Sequence, residues 1–482
     1  MQDPETFWNA CTACKSRGKT SQRIRKKAKL NYQKDLEAYE RSDHNGAPPK
    51  KPKGHLKTCS TCDGSGLVKS DHAPILNNNF PHVAIVGAGI GGVALAVACQ
   101  HRGIPFTLFE RDASFDARSQ GYGLTLQQAS KAMAGFGIQE LIDGVISTRH
   151  IVHKPSGEKI AEWGMRKWLE ESDKPSPKKT NIHIARQALR KALMDQLTDQ
   201  DSIKWDHQFV ERREDESGKI SMDFKVNDEL ETFHADLLVG ADGIRSQVRN
   251  MLLEEDNNPL RYLDCIVILG ICPLENIENS ETDLLDSTTV FQTANGHERM
   301  YMMPYSTNSI MWQFSYPMDE KEAINLSTQG SKDLKNEAIK RTLDWHAPIP
   351  QILKATQESL VTGYPVYDRE VLGEHAFAKA ESSTIIGDAA HPMSPFKGQG
   401  ANQALLDALA LARKIYTTCR SAGNWKVKGL RETVLKDFEK EMIVRSAVKV
   451  RESARAAEFL HSEIVLLQED APRGTVLKNE SK

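Results

Sequence analysis

The stretch His82-Val83-Ala84-Ile85-Val86-Gly87-Ala88-Gly89-Ile90-Gly91-Gly92 constrains this chain more than any other. A short apolar run leads into G-x-G-x-x-G, the apolar stretch VALAVACQHRG follows, and FTLFER supplies a second strand. That order predicts a β-α-β unit. The glycines have separate physical roles. Gly87 makes a tight turn, Gly89 lets backbone approach a pyrophosphate, and Gly92 allows helix and strand to pack closely. The helix start adds free N–H groups and a partial positive charge for phosphate oxygens. Glu110 closes the second strand, 23 residues after Gly87, where a carboxylate can accept from ribose hydroxyls. Strand, turn, helix and acid together predict a dinucleotide site on an α/β fold.

The rest of the chain places that unit in a larger protein. Its 482 residues have room for two or three domains. The 63 Lys+Arg and 65 Asp+Glu give a net charge of −2, so overall charge says nothing about partners. With 39% hydrophobic and 27% charged residues the chain is globular, neither disordered nor fibrous. No run approaches the roughly 18–20 consecutive apolar residues of a membrane span. The start, MQDPETFWNACTACKSRG, lacks the apolar stretch of a secretory signal, so a cytoplasmic or organellar matrix location is expected. Strand-like runs recur at ADLLVG and STIIG. CIVILGICPL, STTVFQT, RMYMMPY and SIMWQFSYP read as a separate, mostly antiparallel sheet, and from Asn402 onward the pattern is mostly helical.

A glycine turn alone does not choose between nicotinamide and flavin dinucleotides. Two further strand-to-turn segments bear on the choice: Ala235-Asp236-Leu237-Leu238-Val239-Gly240-Ala241-Asp242-Gly243-Ile244-Arg245-Ser246, and Ile385-Ile386-Gly387-Asp388-Ala389-Ala390-His391-Pro392, which continues as MSPFKGQGANQALLDALALA. With Gly87–Gly92 these resemble, over about Pro81 to Cys419, the three fingerprints of the single-component FAD-dependent aromatic hydroxylases. That family includes para-hydroxybenzoate hydroxylase and the tetracycline-inactivating monooxygenases. The resemblance implies that Glu110 holds the adenosine ribose with Arg111 beside it, and that Arg118 precedes a loop running toward the isoalloxazine. It implies that Arg186, at a helix start, approaches FAD. Asp242 and Gly243 would contact FAD and, transiently, NAD(P)H. Asp388 would accept from the ribityl hydroxyls, and Pro395, Gly398 and Gly400 would form the loop beneath the flavin ring. The residues support this last segment on their own, because Gly398-Gln399-Gly400 precedes a strongly helical stretch whose positive end stabilises negative charge.

The same resemblance implies NAD(P)H-driven reduction of FAD, reaction with O2, and oxygen transfer from a flavin hydroperoxide to an aromatic or otherwise electron-rich small molecule. A same-fold oxidoreductase without oxygen insertion, or a zinc-containing binding protein with structural FAD, are the alternatives. No redox-active cysteine pair or second glycine turn of a disulfide reductase follows Gly92, and no Trp-x-Trp-x-Ile-Pro element of a halogenase is present. No residue has a spacing that demands a catalytic role. Tyr122, His183, Tyr301, Trp312 and Tyr316 read as pocket wall or core, His391 as a structural histidine bonded to backbone, and Asp368-Arg369 as a structural ion pair. Cys99, Cys265, Cys272 and Cys419 are scattered singly.

Four cysteines fall in the first 62 residues, ahead of the linker-like SDHAPILNNNF. Cys11-x-x-Cys14 and Cys59-x-x-Cys62 can each present two sulfurs to one ion, and four thiolates complete a tetrahedral zinc site. CTACKSRGK and CSTCDGSGL resemble the Cys-x-x-Cys-x-Gly-x-Gly repeat of the chaperone zinc module, the first copy with Ser16-Arg17 intervening where that pattern breaks. Two disulfides compete with this reading, and the missing signal peptide argues against them. Between the pairs, Ile24, Ala28, Tyr32, Leu36 and Tyr39 predict an amphipathic helix over SQRIRKKAKLNYQKDLEAYERS, with Arg23, Arg25, Lys26, Lys27 and Lys29 on it. Nothing base-reading accompanies those charges, so a protein partner is expected ahead of nucleic acid. The expected organisation is a zinc module over 1–72, a Rossmann-like FAD-binding domain over 80–145, 182–258 and 365–420, an inserted antiparallel-sheet substrate domain over 146–181 and 259–364, and a helical region over 421–482.

Overall fold

The structure is a computed structural model and describes residues 6–52, 54–117, 121–164, 181–215, 219–253, 258–278, 282–373, 375–420 and 424–472. Five parallel strands carry the glycine-rich turn, in the order Ile203–Lys204, Phe106–Phe109, Val83–Val86, Leu237–Gly240 and Ser383–Ile385. Val83–Val86 and Leu237–Gly240 are buried throughout, as strands of a parallel sheet covered on both faces must be. Because the strands are parallel, the turns that follow Val86, Gly240 and Ile385 all open at one carboxyl edge. That edge is where ligands bind in sheets of this kind. Helix Ile90–Gln100, nearly all of it buried, and helix Gly400–Thr418 pack against each other behind it.

A second sheet has seven strands, in the order Lys159–Trp163, Arg149–His153, Thr289–Ala294, Arg299–Ser306, Ser309–Pro317, Arg261–Pro273 and Val361–Asp368. All neighbours are antiparallel except Arg149–His153 beside Thr289–Ala294. The four runs read from the sequence as one antiparallel sheet are its centre. Strand alternation gives it two faces. Ile266, Ile268, Met300, Met302, Trp312, Phe314 and Tyr316 enter one core, whereas Val267, Leu269, Met303 and Met311 pack with Tyr122, Tyr301, Tyr305 and Phe396 on the other. Smaller sheets join Gly123–Leu126, Ile182–Ala185 and Val145–Ile146, and the meander Gln208–Glu214, Ile220–Val226 and Glu229–Ala235. Among the described residues no helix is long and apolar enough to cross a membrane.

The first 70 residues form two short ladders, Phe7–Ala10 with Leu67–Ser70 and Lys19–Ser21 with Leu56–Thr58. The helix between them spans Lys26–Arg41, shorter than its periodicity predicts. Its start is lost to long-range pairing: Ser21 lies opposite Leu56, and the Gln22 amide donates to the His55 carbonyl at 2.8 Å. The apolar stripe on this helix is only half-buried, and none of its residues is fully buried.

Among the described residues, four of the buried histidines lack a carboxylate partner: His101, His153, His183 and His461. Burial pushes the first, second and fourth down to about 4, and His183 to about 3. They are neutral when folded, and in the unfolded chain they take up protons near 6.5. Between those values the unfolded state binds more protons, so stability falls as pH falls, by up to about 1.4 kcal/mol per pH unit for each residue. Melting temperature is expected to be flat above about pH 7 and to drop steeply from pH 6.5 toward 5. A flat profile down to pH 5 contradicts neutral burial.

Candidate cofactor and active site

The glycine turn has the geometry its residues demand. Gly87 has φ +102°, and a Cβ there would lie 2.7 Å from the Ala241 carbonyl oxygen. A Cβ on Gly92 would lie 1.9 Å from the Gly87 carbonyl oxygen, so only hydrogen fits. Around Gly89 nothing lies within 4 Å of the corresponding point, and Gly89 caps helix Ile90–Gln100. Of the three fingerprint glycines, Gly89 is the one that faces open space. Glu110 is buried and accepts from the Ala88 amide at 2.7 Å and the Asp112 amide at 3.1 Å, so its carboxylate braces the turn from the neighbouring strand end. Arg111 is exposed, and Arg118 lies outside the described residues. Sequence reading missed Arg190, whose Nε donates to the Ala88 carbonyl at 2.7 Å and whose guanidinium lies 4.6 Å from the Phe115 ring centroid. Its spacing of four from Arg186, one turn along helix Arg186–Met194, was the available signal.

At the next strand end, Asp242 accepts from the Ser246 hydroxyl and from the Gln247 amide at 2.8 Å, which braces the start of helix Gln247–Leu252 behind its cap, Ser246. Gly243 has φ +85° and open space around it. At the third strand end, the Asp388 carboxylate oxygen lies 3.4 Å from where a Cβ on Gly400 would sit. Arg186 is within electrostatic reach of that carboxylate. Tyr122, then Asp388, raise the pKa of the Arg186 guanidinium against the opposing effect of burial, and its Nη1 donates to the Tyr122 hydroxyl at 3.0 Å.

Pro395–Lys397 forms one tight turn, and Gly398 (φ +58°) redirects the chain into helix Gly400–Thr418. Asn402, fully buried and unflagged by sequence, fixes this loop. Its Oδ1 accepts from the amides of Gln127 (2.8 Å) and Ala129 (3.1 Å), and its Nδ2 donates to the Thr125 and Gly398 carbonyls at 2.8 and 2.9 Å. Gln399 donates to Gln127 at 2.7 Å, while its own Oε1 is buried without a partner. Below lies Asp407, also fully buried, which accepts from His391 Nε2 at 2.7 Å, the Gly387 amide at 2.9 Å and Arg445 Nη2 at 2.8 Å. His391 was expected to bond backbone through its side chain, but its partner is a buried carboxylate.

The second sheet sorts the aromatic candidates. Tyr122 and Tyr301 lie on its face toward the loop. Trp312 and Tyr316 point into the opposite core, where Trp312 Nε1 donates to Thr356 Oγ1 at 2.9 Å, so neither is pocket wall. His183 is buried, with Nδ1 2.9 Å from the Thr125 hydroxyl. Asp368 pairs with Arg261 through two 2.9 Å contacts, correcting the expected pairing with Arg369, which bonds instead to the Asn258 carbonyl.

The residues present fit a dinucleotide with a ring system at its far end. The carboxyl edge offers open space at Gly89 and Gly243, two helix starts, a half-buried arginine within reach of Asp388, and an orphaned acceptor on Gln399. In the N-terminal unit, Cys11, Cys14, Cys59 and Cys62 are buried and unbridged, with all four sulfurs within 4.8 Å of one another. Cys11 and Cys59 sulfurs are 4.0 Å apart and Cys14 and Cys62 3.7 Å. A zinc tetrahedron with bonds of about 2.3 Å has edges of about 3.8 Å, whereas a disulfide closes to about 2.05 Å. The Gly18 and Gly66 amides donate to Cys14 and Cys62 sulfurs at 3.2 and 3.3 Å, as thiolate ligands require.

Comparison with known proteins agrees with this geometry. The FAD-binding-domain family matches residues 81–430. Aurachin C monooxygenase/isomerase of Stigmatella aurantiaca is 31% identical over 336 residues, 69% of this chain and 79% of that protein. 6-Hydroxynicotinate 3-monooxygenase of Pseudomonas fluorescens is 23% identical, over 69% of this chain and 82% of its own length. Among solved structures, Klebsiella pneumoniae HpxO in complex with FAD and uric acid shares the fold, with a TM-score of 0.64 and 19% identity, covering 83% of this chain and 92% of that one.

Proposed function

Because the chain belongs to the FAD-binding-domain family, we propose that it is an FAD-dependent monooxygenase that uses NAD(P)H and O2 to hydroxylate a small aromatic or electron-rich molecule. The observation that carries this reading is the convergence of three glycine-bearing turns on one sheet edge beneath the second sheet. Bound FAD accepts electrons from NAD(P)H and, with O2, supplies an electrophilic oxygen atom. The chain binds and orients. Gly87, Gly89 and Gly92, with the start of helix Ile90–Gln100, would receive the pyrophosphate. Glu110 and Arg190 hold that turn in shape. Arg186, Asp242, Gly243 and Asp388 would line the middle of the cofactor, and Pro395, Gly398 and Gly400 would lie against the ring. The start of helix Gly400–Thr418 offers a positive end that favours negative charge there. Met303, Met311, Tyr301 and Tyr305 supply an apolar and aromatic wall that excludes water from the reacting groups. Zinc is assigned to Cys11, Cys14, Cys59 and Cys62, in a module ahead of the flavin-binding body.

The test is a screen of aromatic and polycyclic compounds for stimulated NADPH and NADH consumption by the yellow holoprotein. A compound that speeds consumption and leaves as a hydroxylated product supports the proposal. Stimulated consumption with no oxygenated product from any compound supports an oxidoreductase that does not insert oxygen. A purified protein that takes up no added FAD contradicts the assignment outright.

A further inference from the structure

Four thiolates on one divalent ion leave two negative charges in a buried place, and such charge needs a partner. The N-terminal unit supplies only an exposed one, Arg17, whose Nε donates to the Cys14 carbonyl at 3.2 Å, and the basic residues of helix Lys26–Arg41 are exposed as well. Two arginines of the flavin-binding body supply the others. Arg413, on helix Gly400–Thr418, donates from Nη2 to the Ser65 carbonyl at 2.6 Å. The same nitrogen lies 3.3 Å from where a Cβ on Gly66 would sit, and the Gly66 amide is the donor to the Cys62 sulfur. Arg102, just past helix Ile90–Gln100, is 3% exposed and bonds the Ala98 carbonyl at 2.8 Å, with Nε and Nη2 buried and unpartnered. Arg413 is within electrostatic reach of Cys14 and Cys62, whereas Arg102 meets first the repelling charge of Arg413 and only more weakly Cys14, so the pair of cations needs a shared anion. Among the described residues neither arginine forms a salt bridge with a carboxylate. A buried guanidinium beside a half-buried one is costly next to four neutral thiols or two disulfides, and is matched by a metal–tetrathiolate.

The position of these arginines links the two sites. Both sit toward the C-terminal ends of helices whose N-termini, at Gly89 and Gly400, face the cofactor edge. Arg413 is 13 residues from Gly400, about 20 Å along the helix. The unit also grips the body directly: Trp8 Cδ1 lies 2.5 Å from where a Cβ on Gly137 would sit, and the Ser65 carbonyl 3.4 Å from that of Gly135. We propose that the metal–tetrathiolate is a clamp on the flavin-binding body: Arg413 and Arg102 neutralise it, and metal occupancy keeps the two cofactor-facing helices in register, so that losing the metal loosens FAD. The last clause rests on the FAD assignment above.

The experiment uses full-length holoprotein and reads zinc by elemental analysis, zinc release by a competing chelating dye, and FAD release by the rise of free-flavin fluorescence. About one zinc per chain is expected, with a free-thiol count under denaturing, metal-free conditions that includes all four cysteines. Stripping the metal is expected to weaken FAD retention at least 10-fold. Arg413→Met, similar in volume but uncharged, should release zinc at least 10-fold faster, and Arg413→Lys should recover most of that loss, which a packing role alone would not. If Arg413→Met does not fold, Arg102→Met carries the same comparison, and Cys59→Ser reports the metal-free state. A metal-free wild type with two disulfides overturns the proposal, as does zinc release unchanged in folded arginine variants. FAD retention unchanged after stripping overturns the clamp while leaving the FAD assignment intact. A wild type that holds zinc but never takes up FAD overturns the FAD assignment and the clamp together.

Discussion

Gly89→Leu yields a folded protein that no longer holds FAD. Apart from the adjoining backbone, no atom of the described residues lies within 4 Å of the point where its Cβ would sit, and Gly89 has φ −71° and ψ −176°, a conformation open to any residue. The new side chain therefore starts into open space, where the proposed pyrophosphate would lie. Loss of FAD affinity of more than about 100-fold is expected, equivalent to about 2.8 kcal/mol or more, with the apoprotein melting within about 2 °C of wild type. Gly92→Ala behaves differently although it adds less. Its methyl group would lie 1.9 Å from the Gly87 carbonyl oxygen, so the turn itself must shift and folding suffers along with binding. Equilibrium titration with FAD, beside thermal melts of the apoproteins, separates the two. Wild-type FAD affinity in Gly89→Leu contradicts the placement of the pyrophosphate.

Asp407→Ala has the largest expected effect on stability. The carboxylate is fully buried and serves His391, Arg445 and the Gly387 amide together, and His391 and Arg445 hold its pKa below the usual carboxylate value against the penalty of burial. With the folded pKa depressed, its contribution is present in full above the unfolded value near 3.9 and is lost as pH falls through the folded one. Removing it leaves the Gly387 amide and His391 without their buried acceptor and Arg445 with only the exposed Glu441 as carboxylate partner, a loss of about 3 kcal/mol. A fall in melting temperature of roughly 3–5 °C is expected at pH 7, and because Gly387 precedes Asp388, the cofactor should loosen as well. Asp407→Asn retains an acceptor for the Gly387 amide and should lie between. A melting temperature unchanged in Asp407→Ala contradicts the network.

The difference between what was legible in the sequence and what was not has a physical basis. Gly87, Gly92 and Gly398 were readable because backbone geometry there tolerates little else, and that demand is local. Likewise the strands Val83–Val86, Leu237–Gly240 and Ser383–Ile385 announce themselves as apolar runs ending in glycine turns, so their carboxyl-edge turns could be paired with a known fingerprint. The Arg261–Asp368, Arg445–Asp407 and Gln127–Asn402 contacts join residues 107, 38 and 275 positions apart, and nothing local marks either partner. Trp312 and Tyr316 could not be sorted between pocket wall and core for another reason. Alternation along Ser309–Pro317 shows that the strand has two faces but not which one meets the cofactor edge. The helix of the N-terminal unit was seen too long because periodicity carries no information about the ladder that claims its first residues. The four cysteines could be grouped from spacing alone, whereas Arg102 and Arg413, which face them, could not.

The most direct test of the central claim follows the oxygen atom. With a compound that stimulates NAD(P)H consumption, turnover under isotopically heavy O2 in ordinary water should give a hydroxylated product about two mass units heavier than turnover under ordinary O2, with one labelled atom per product. A product that carries no label, or that takes its oxygen from labelled water, contradicts the monooxygenase assignment.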